Sequence, residues 1–253
     1  VIRIGSRGSA LALAQARLVA DLIGGAELVV VETAGDRDRS SRYDAIGDGR
    51  GVFTREIERA LLEGRIDAAV HSAKDLTGEM PDGLEIAAVP ERGDPRDACC
   101  GPFGSLAEVP AGARIGTSSA RRAGLMAQLR PDLEVVPLRG NVDTRLQKLD
   151  RGDADAIVLA ACGLERLGLA GRIGFRLDPE TFVPEAGQGC LAVQVRVGEG
   201  AAVAAADHAP SRRLLEAERR CLAELGAGCT TPAGAHAWYD ERGELHLRRW
   251  VAA

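Results

Sequence analysis

The chain has 253 residues, enough for two or three modest domains rather than one small core. Hydrophobic residues make up 45% and charged residues 27%, ordinary for a soluble globular protein. No apolar stretch reaches the roughly 20 residues that span a bilayer, and a net charge of −5 argues against general nucleic-acid binding.

Val1–Gly5 reads as a first strand, not an export signal, so the cytoplasm is the expected location. A helix follows with Leu11, Ala14, Leu18 and Leu22 on one face, then a β-branched strand at Leu28–Val31. Phe53, Ile57, Ala60 and Leu61 mark a second helix, stopped by Gly64. Ile66–Val70 and Leu84–Val89 read as strands. Beyond Pro95 the alternation resumes: strand Arg114–Gly116, helix Ala120–Leu129, strand Leu133–Leu138, helix Val142–Leu149, strand Ala154–Ala160. Such alternation implies parallel sheets covered by helices. Cys190–Arg196 is one more strand, expected to return to the first sheet and make the crossover a hinge. The last unit is helix Ser211–Leu225, a glycine turn, and strands Gly234–Tyr239 and Glu244–Trp250 broken by Glu241-Arg-Gly243, as in a hairpin.

A repeat is visible within this order. Arg3-Ile-Gly-Ser6 matches Arg114-Ile-Gly-Thr117, and Gly64-Arg-Ile-Asp-Ala-Ala-Val70 matches Gly152-Asp-Ala-Asp-Ala-Ile-Val158. Two matches in the same order imply two lobes of similar topology, with ligand held between them beyond the carboxyl ends of the strands.

Several strand ends carry candidate chemistry. Val70-His-Ser-Ala-Lys-Asp75 places Ser72, Lys74 and Asp75 at such an end; by itself this is more readily a surface ion pair than an acid–base group. Gly116-Thr-Ser-Ser-Ala-Arg-Arg122 joins hydroxyls, a helix N-terminus and two arginines. It reads equally as an anion site and as a serine cap followed by solvated arginines. Arg139 and Arg145 repeat the idea at the next junction, Arg166 follows the third strand, and Arg7 lies in the first lobe. Cations crowded in this way call for a multiply charged anion, a polycarboxylate or polyphosphate; no nucleotide-binding glycine motif occurs. Of six cysteines, Cys229 stands on a glycine-rich turn, either as a reactive thiolate or as an incidental residue of a helix-ending turn. No cluster with metal-ligand spacing occurs.

Together, Ile4-Gly-Ser-Arg-Gly-Ser-Ala-Leu-Ala-Leu-Ala-Gln-Ala16, Ala69-Val-His-Ser-Ala-Lys-Asp-Leu76, Gly116–Arg122, Leu138-Arg-Gly-Asn-Val142, Pro184-Glu-Ala-Gly-Gln-Gly189 and Gly226-Ala-Gly-Cys229 resemble the hydroxymethylbilane synthase (porphobilinogen deaminase) family. The matches fall in the family's order over nearly the whole chain. The resemblance implies an α/β fold of two periplasmic-binding-protein-like lobes with mixed, mainly parallel sheets, plus a small, shortened α+β C-terminal domain. The division expected is 1–92 with 188–207, then 95–184, then 210–253. It implies a cytoplasmic, monomeric transferase of tetrapyrrole (heme) biosynthesis that condenses four porphobilinogens head to tail with loss of ammonia. The chain would grow on a covalent dipyrromethane cofactor and be released by hydrolysis as hydroxymethylbilane.

By the same resemblance Cys229 carries the cofactor as a thioether. Asp75 is the catalytic group, stabilising pyrrole N–H groups and an azafulvenium-like cation. Ser72, Lys74, Thr117, Ser119, Arg121, Arg122, Arg139, Arg145 and Gln188 contact the cofactor, and Arg7, Arg139, Arg145 and Arg166 the substrate. No metal, nucleic acid or membrane is implied. Departures from the family are Arg50 where a lysine is usual, Thr77 where a proline is common, Ser41 near a usual carboxylate, and an end at Ala253 short of the usual one. The runner-up is a two-lobed binding or sensor protein for a small anion.

Overall fold

The computed structural model describes residues 1–33, 54–76, 80–225 and 232–252; Ser41, Arg50, Phe53, Thr77 and Cys229 lie outside them. The first lobe is built on β1 (Arg3–Ser6), β2 (Glu27–Val30), β3 (Ala68–Ser72) and β4 (Leu84–Ala88), with α1 (Ala10–Leu22) and α2 (Arg55–Leu62). The second holds β5 (Asp97–Cys100), β6 (Arg114–Gly116), β7 (Glu134–Val136), β8 (Ala156–Ala160) and β9 (Phe175–Arg176). Its helices are α3 (Ala120–Leu129), α4 (Val142–Asp150) and α5 (Ala161–Arg166). The chain then returns to the first lobe as β10 (Leu191–Arg196), and ends in α6 (Ala209–Glu224) and the hairpin β11 (Ala233–Tyr239)–β12 (Leu245–Val251).

The two sheets have one topology. Their orders are β2-β1-β3-β10-β4 and β7-β6-β8-β5-β9. In each, a central parallel trio is followed by one antiparallel strand, β10 or β5, so four of five strands run the same way. The repeat read in the sequence is also a repeat of contacts. Arg3 donates its backbone N–H to Asp67 (2.8 Å) and its Nη2 to the Gly64 carbonyl (2.8 Å). Arg114 does the same with Asp155 (2.8 Å) and Gly152 (3.0 Å). Gly64 and Gly152 both have φ near +70 to +80° (69° and 79°), the left-handed conformation that ends a helix at low cost for glycine.

Apolar clusters lie on both faces of each sheet. In α1 the sequence expectation needs correction. Leu18 and Leu22 are exposed, and the buried face is Gln15, Ala16, Val19 and Ala20. Small side chains let the helix lie close on the strands, and that spacing outweighs the size of the leucines. Strands β5 and β9 and helix α5 were not anticipated: β5 is four residues buried on both faces, with no alternation to betray it. The hairpin is anchored on the second lobe through Trp250, whose ring meets Gly124 and whose Nε1 donates to Gln128 (2.9 Å). Among the described residues no helix is long and apolar enough to cross a membrane.

Candidate active site

The carboxyl ends of β3 and β8 face one another across a cleft, with α1 and α5 meeting where Leu11 lies over Gly163. Ser9 caps α1, its hydroxyl accepting from the Ala12 N–H (3.2 Å), so the helix begins at the cleft. Gln15, one turn on, is buried and exchanges hydrogen bonds with the Ser72 hydroxyl (3.0 and 3.3 Å), fixing the end of β3.

Asp75 follows in a single 3₁₀ turn. Its side chain is open to the cleft on one side and crowded by protein on the others. That crowding pushes its pKa up; nearby Glu185 adds to the rise, while Lys74 and Arg7 oppose it. The result is a carboxyl able to hold or release a proton nearer neutrality than a surface aspartate. Beneath it, His71 is buried and hydrogen-bonded to Gln194 (3.1 Å), and burial lowers its pKa to about 4, so it is neutral at ordinary pH.

Cations line the cleft into which this carboxyl opens. The cavity wall includes Arg7, Ser72, Lys74 and Asp75 from the first lobe and Arg122, Arg145 and Arg166 from the second. Arg145 donates to the Gly140 carbonyl (2.7 Å) and Arg166 to the Gly189 carbonyl (2.6 Å). Burial, with Arg122 and Arg139 as like-charged neighbours, lowers the Arg145 pKa to about 10. Holding guanidinium groups so close is costly unless anions enter among them. The chemistry of the wall thus fits a dipyrromethane bearing acidic side chains, whose carboxylates Arg122, Arg145 and Arg166 could hold.

Other expected contacts stand behind the wall. Thr117 and Ser119 shape the turn into α3: Ser119 accepts from the Arg122 N–H (3.4 Å) and donates its own backbone N–H to Thr117 (3.2 Å). The serine is therefore a helix cap, yet the arginines after it are not solvated; Arg121 and Arg122 are 4% and 5% exposed. Both pair with Asp97, at 2.8 and 2.7 Å. Arg121 also donates to the Val183 carbonyl (2.7 Å). Gln188 is fully buried and bonded to Lys74, Pro95 and Asp97, and Arg139 lies beside Arg145.

Asp97 is the buried residue behind the cleft wall that sequence reasoning missed. Burial favours its neutral form, but the two guanidinium groups prevail and hold its pKa at about 2. An acidic residue opening the apolar run Ala98-Cys-Cys100 was the available signal. The five cysteines among the described residues are free and buried, with Cys99 and Cys190 both pushed up to about 12 by burial. Asp240, Glu244 and His246 also approach one another at the hairpin tip, where Asp240 already accepts from His246 and two backbone N–H groups.

Comparison with known proteins agrees with this picture. Residues 2–204 match a family model described as "Porphobilinogen deaminase, dipyromethane cofactor binding domain". The chain is 48% identical over 260 residues to a porphobilinogen deaminase of Roseiflexus sp., covering 99% of this chain and 85% of that one. It is 48% identical over 257 residues to one of Thermus thermophilus, covering 98% and 83%. A solved methionine binding protein, MetQ, overlaps it loosely, with a TM-score of 0.48, 16% identity and coverage of 90% and 96%. With its sequence matched from end to end at this level, the chain belongs to the porphobilinogen deaminase family.

Proposed function

We propose that the cation-ringed cleft is where this transferase joins four porphobilinogen molecules head to tail, with Asp75 as its catalytic group. The observation that carries the reading is a carboxyl of raised pKa opening into a cleft whose walls carry cations from two lobes. A covalent dipyrromethane, attached at Cys229, would supply the free pyrrole carbon to which the first unit is joined, each later unit being joined to the one before it.

The residues of the chain do the rest. Asp75 accepts the N–H of a pyrrole ring and offsets the positive charge left on the substrate when ammonia departs. Its raised pKa suits it to take up the proton that the ring carbon releases as the new carbon–carbon bond forms. Lys74 and Arg7 keep its ionised form accessible. Arg7, Arg139, Arg145 and Arg166 hold the acetate and propionate groups of arriving units. Ser72, Lys74, Thr117, Ser119, Arg121, Arg122 and Gln188 hold those of the primer, directly or by placing the residues that do. The division 1–92 with 188–207, 95–184 and 210–253 lets two lobes and a primer-bearing unit move about the crossovers. The enzyme works as a cytoplasmic monomer, without nucleic acid, membrane or metal.

Intact-mass measurement tests this reading against that of an anion-binding module. The purified chain is expected to exceed its sequence mass by a dipyrromethane, and Cys229→Ser to lose that excess. Equal masses for the two proteins, beyond the one-atom exchange, would overturn it.

A further inference from the structure

We propose that Asp97 is a positioning residue for this reaction, orienting Gln188 and through it Lys74 beside Asp75, while aligning the Arg121–Arg122 pair. The inference deepens the reading of the cleft given above and rests on it. Asp97 opens β5 and is fully buried. One of its oxygens takes Arg122 Nε (2.9 Å) and Nη2 (2.7 Å), and also Gln188 Nε2 (3.0 Å). The other lies 2.8 Å from Arg121 Nη2. The second lobe's arginine pair and the returning crossover therefore meet at a single carboxylate.

The direction of the relay follows from donor and acceptor bookkeeping at Gln188. Its amide nitrogen is committed to two acceptors, Asp97 and the Pro95 carbonyl (2.8 Å). Its oxygen must then face the other way, where it accepts from Lys74 Nζ (3.1 Å). Lys74 adjoins Asp75 in sequence and lowers that carboxyl's proton affinity. A carboxylate in one lobe, together with the Pro95 carbonyl, thus sets which end of a buried amide points at the other lobe. An asparagine at 97 presents donor and acceptor alike, so it leaves the Pro95 carbonyl alone to fix which way Gln188 faces and leaves two buried guanidinium groups without their counter-charge.

The test is steady-state kinetics on the holoenzymes, each first checked for its covalent mass and its fold by near-ultraviolet circular dichroism. Gln188→Met, which keeps Asp97 and both arginines, is expected to lower kcat roughly ten- to a hundredfold, the scale of a displaced reacting group. Its KM should stay within about threefold. Asp97→Asn is expected to lower kcat as much and to raise KM as well. The double variant should lose no more kcat than Asp97→Asn alone, because the two act in series. A kcat for Gln188→Met within about threefold of wild type, or losses that multiply in the double variant, would overturn the proposal. If Asp97→Asn does not fold, Gln188→Met decides by whether kcat or only KM moves. A wild-type chain that makes no hydroxymethylbilane sinks the reading of the cleft itself, a result distinct from active wild type with indifferent variants.

Discussion

Asp75 and Arg145 are each held where an isolated side chain of their type would not choose to be. Crowding by protein on its closed side raises the Asp75 pKa, so the folded chain binds its proton more tightly than the unfolded chain does. Stability from this group is complete below the ordinary aspartate value of about 4 and declines as pH rises through the raised folded value. Asp75→Asn removes that decline. We expect a variant almost without turnover whose stability relative to wild type improves from pH 4 to pH 7, read by thermal melts across that range. An equal offset at every pH would show that the carboxyl is not strained by its site. Arg145 meets the same conflict with the opposite charge: crowded by Arg122 and Arg139, it favours the native state less than a solvated arginine would. Arg145→Met should therefore raise the melting temperature of the protein while raising KM for porphobilinogen. A lower melting temperature together with an unchanged KM would contradict both parts.

Between elements, the two crossovers that join the lobes touch at glycines. Gly93 donates its N–H to the Gly189 carbonyl (3.2 Å), and Gly189 has φ +89°. A Cβ at Gly189 would stand 2.4 Å from the Gly93 carbonyl oxygen, a backbone atom with nowhere to go. Gly198 has nearly the same φ, +85°, but open space around it. Gly198→Ala should cost about 1 kcal/mol for the left-handed backbone alone. Gly189→Ala should cost at least about 2 kcal/mol more, since the crossovers must part. Urea denaturation of both variants measures the difference; equal losses would mean the crossing yields easily. At this scale the sequence was readable where composition and period agree. Helix α3 could be placed because a serine cap precedes an unbroken helical run. Strand β5 could not, because four residues buried on both sides look like any short apolar run.

Over the whole molecule, one buried carboxylate ties the three parts together. Glu218, on α6, accepts from Arg92 on the first crossover (2.8 Å), from the Gly187 N–H on the second (2.6 Å) and from the Ala237 N–H on β11 (2.7 Å). Arg92 in turn donates to the Gln188 and Ala237 carbonyls. Glu218→Ala strips the counter-charge from a buried guanidinium and should cost about 3–5 kcal/mol. The hairpin and α6 should then melt before the lobes, giving two calorimetric transitions where wild type gives one. A single transition of unchanged midpoint would show that the apolar contacts around Trp250 hold the last unit without it. The chain is acidic overall, at −5, while its cleft is lined by cations, so the field that draws acidic substrates comes from placement and not from net charge.

The amino-acid sequence alone determined the alternation of strands and helices, the two-fold repeat and the presence of arginines at strand ends, because these depend on local period and on residue type. It could not determine which arginines reach the cleft or which are paired with a buried carboxylate. Arg121 and Arg122 are adjacent and chemically alike, yet only Arg122 lies on the cavity wall. The partners that satisfy buried charged and polar groups such as Asp97, Gln188 and Glu218 stand between about 20 and 130 residues away in the chain. Only folding brings such charges within hydrogen-bond reach, and only burial then makes their pairing decisive.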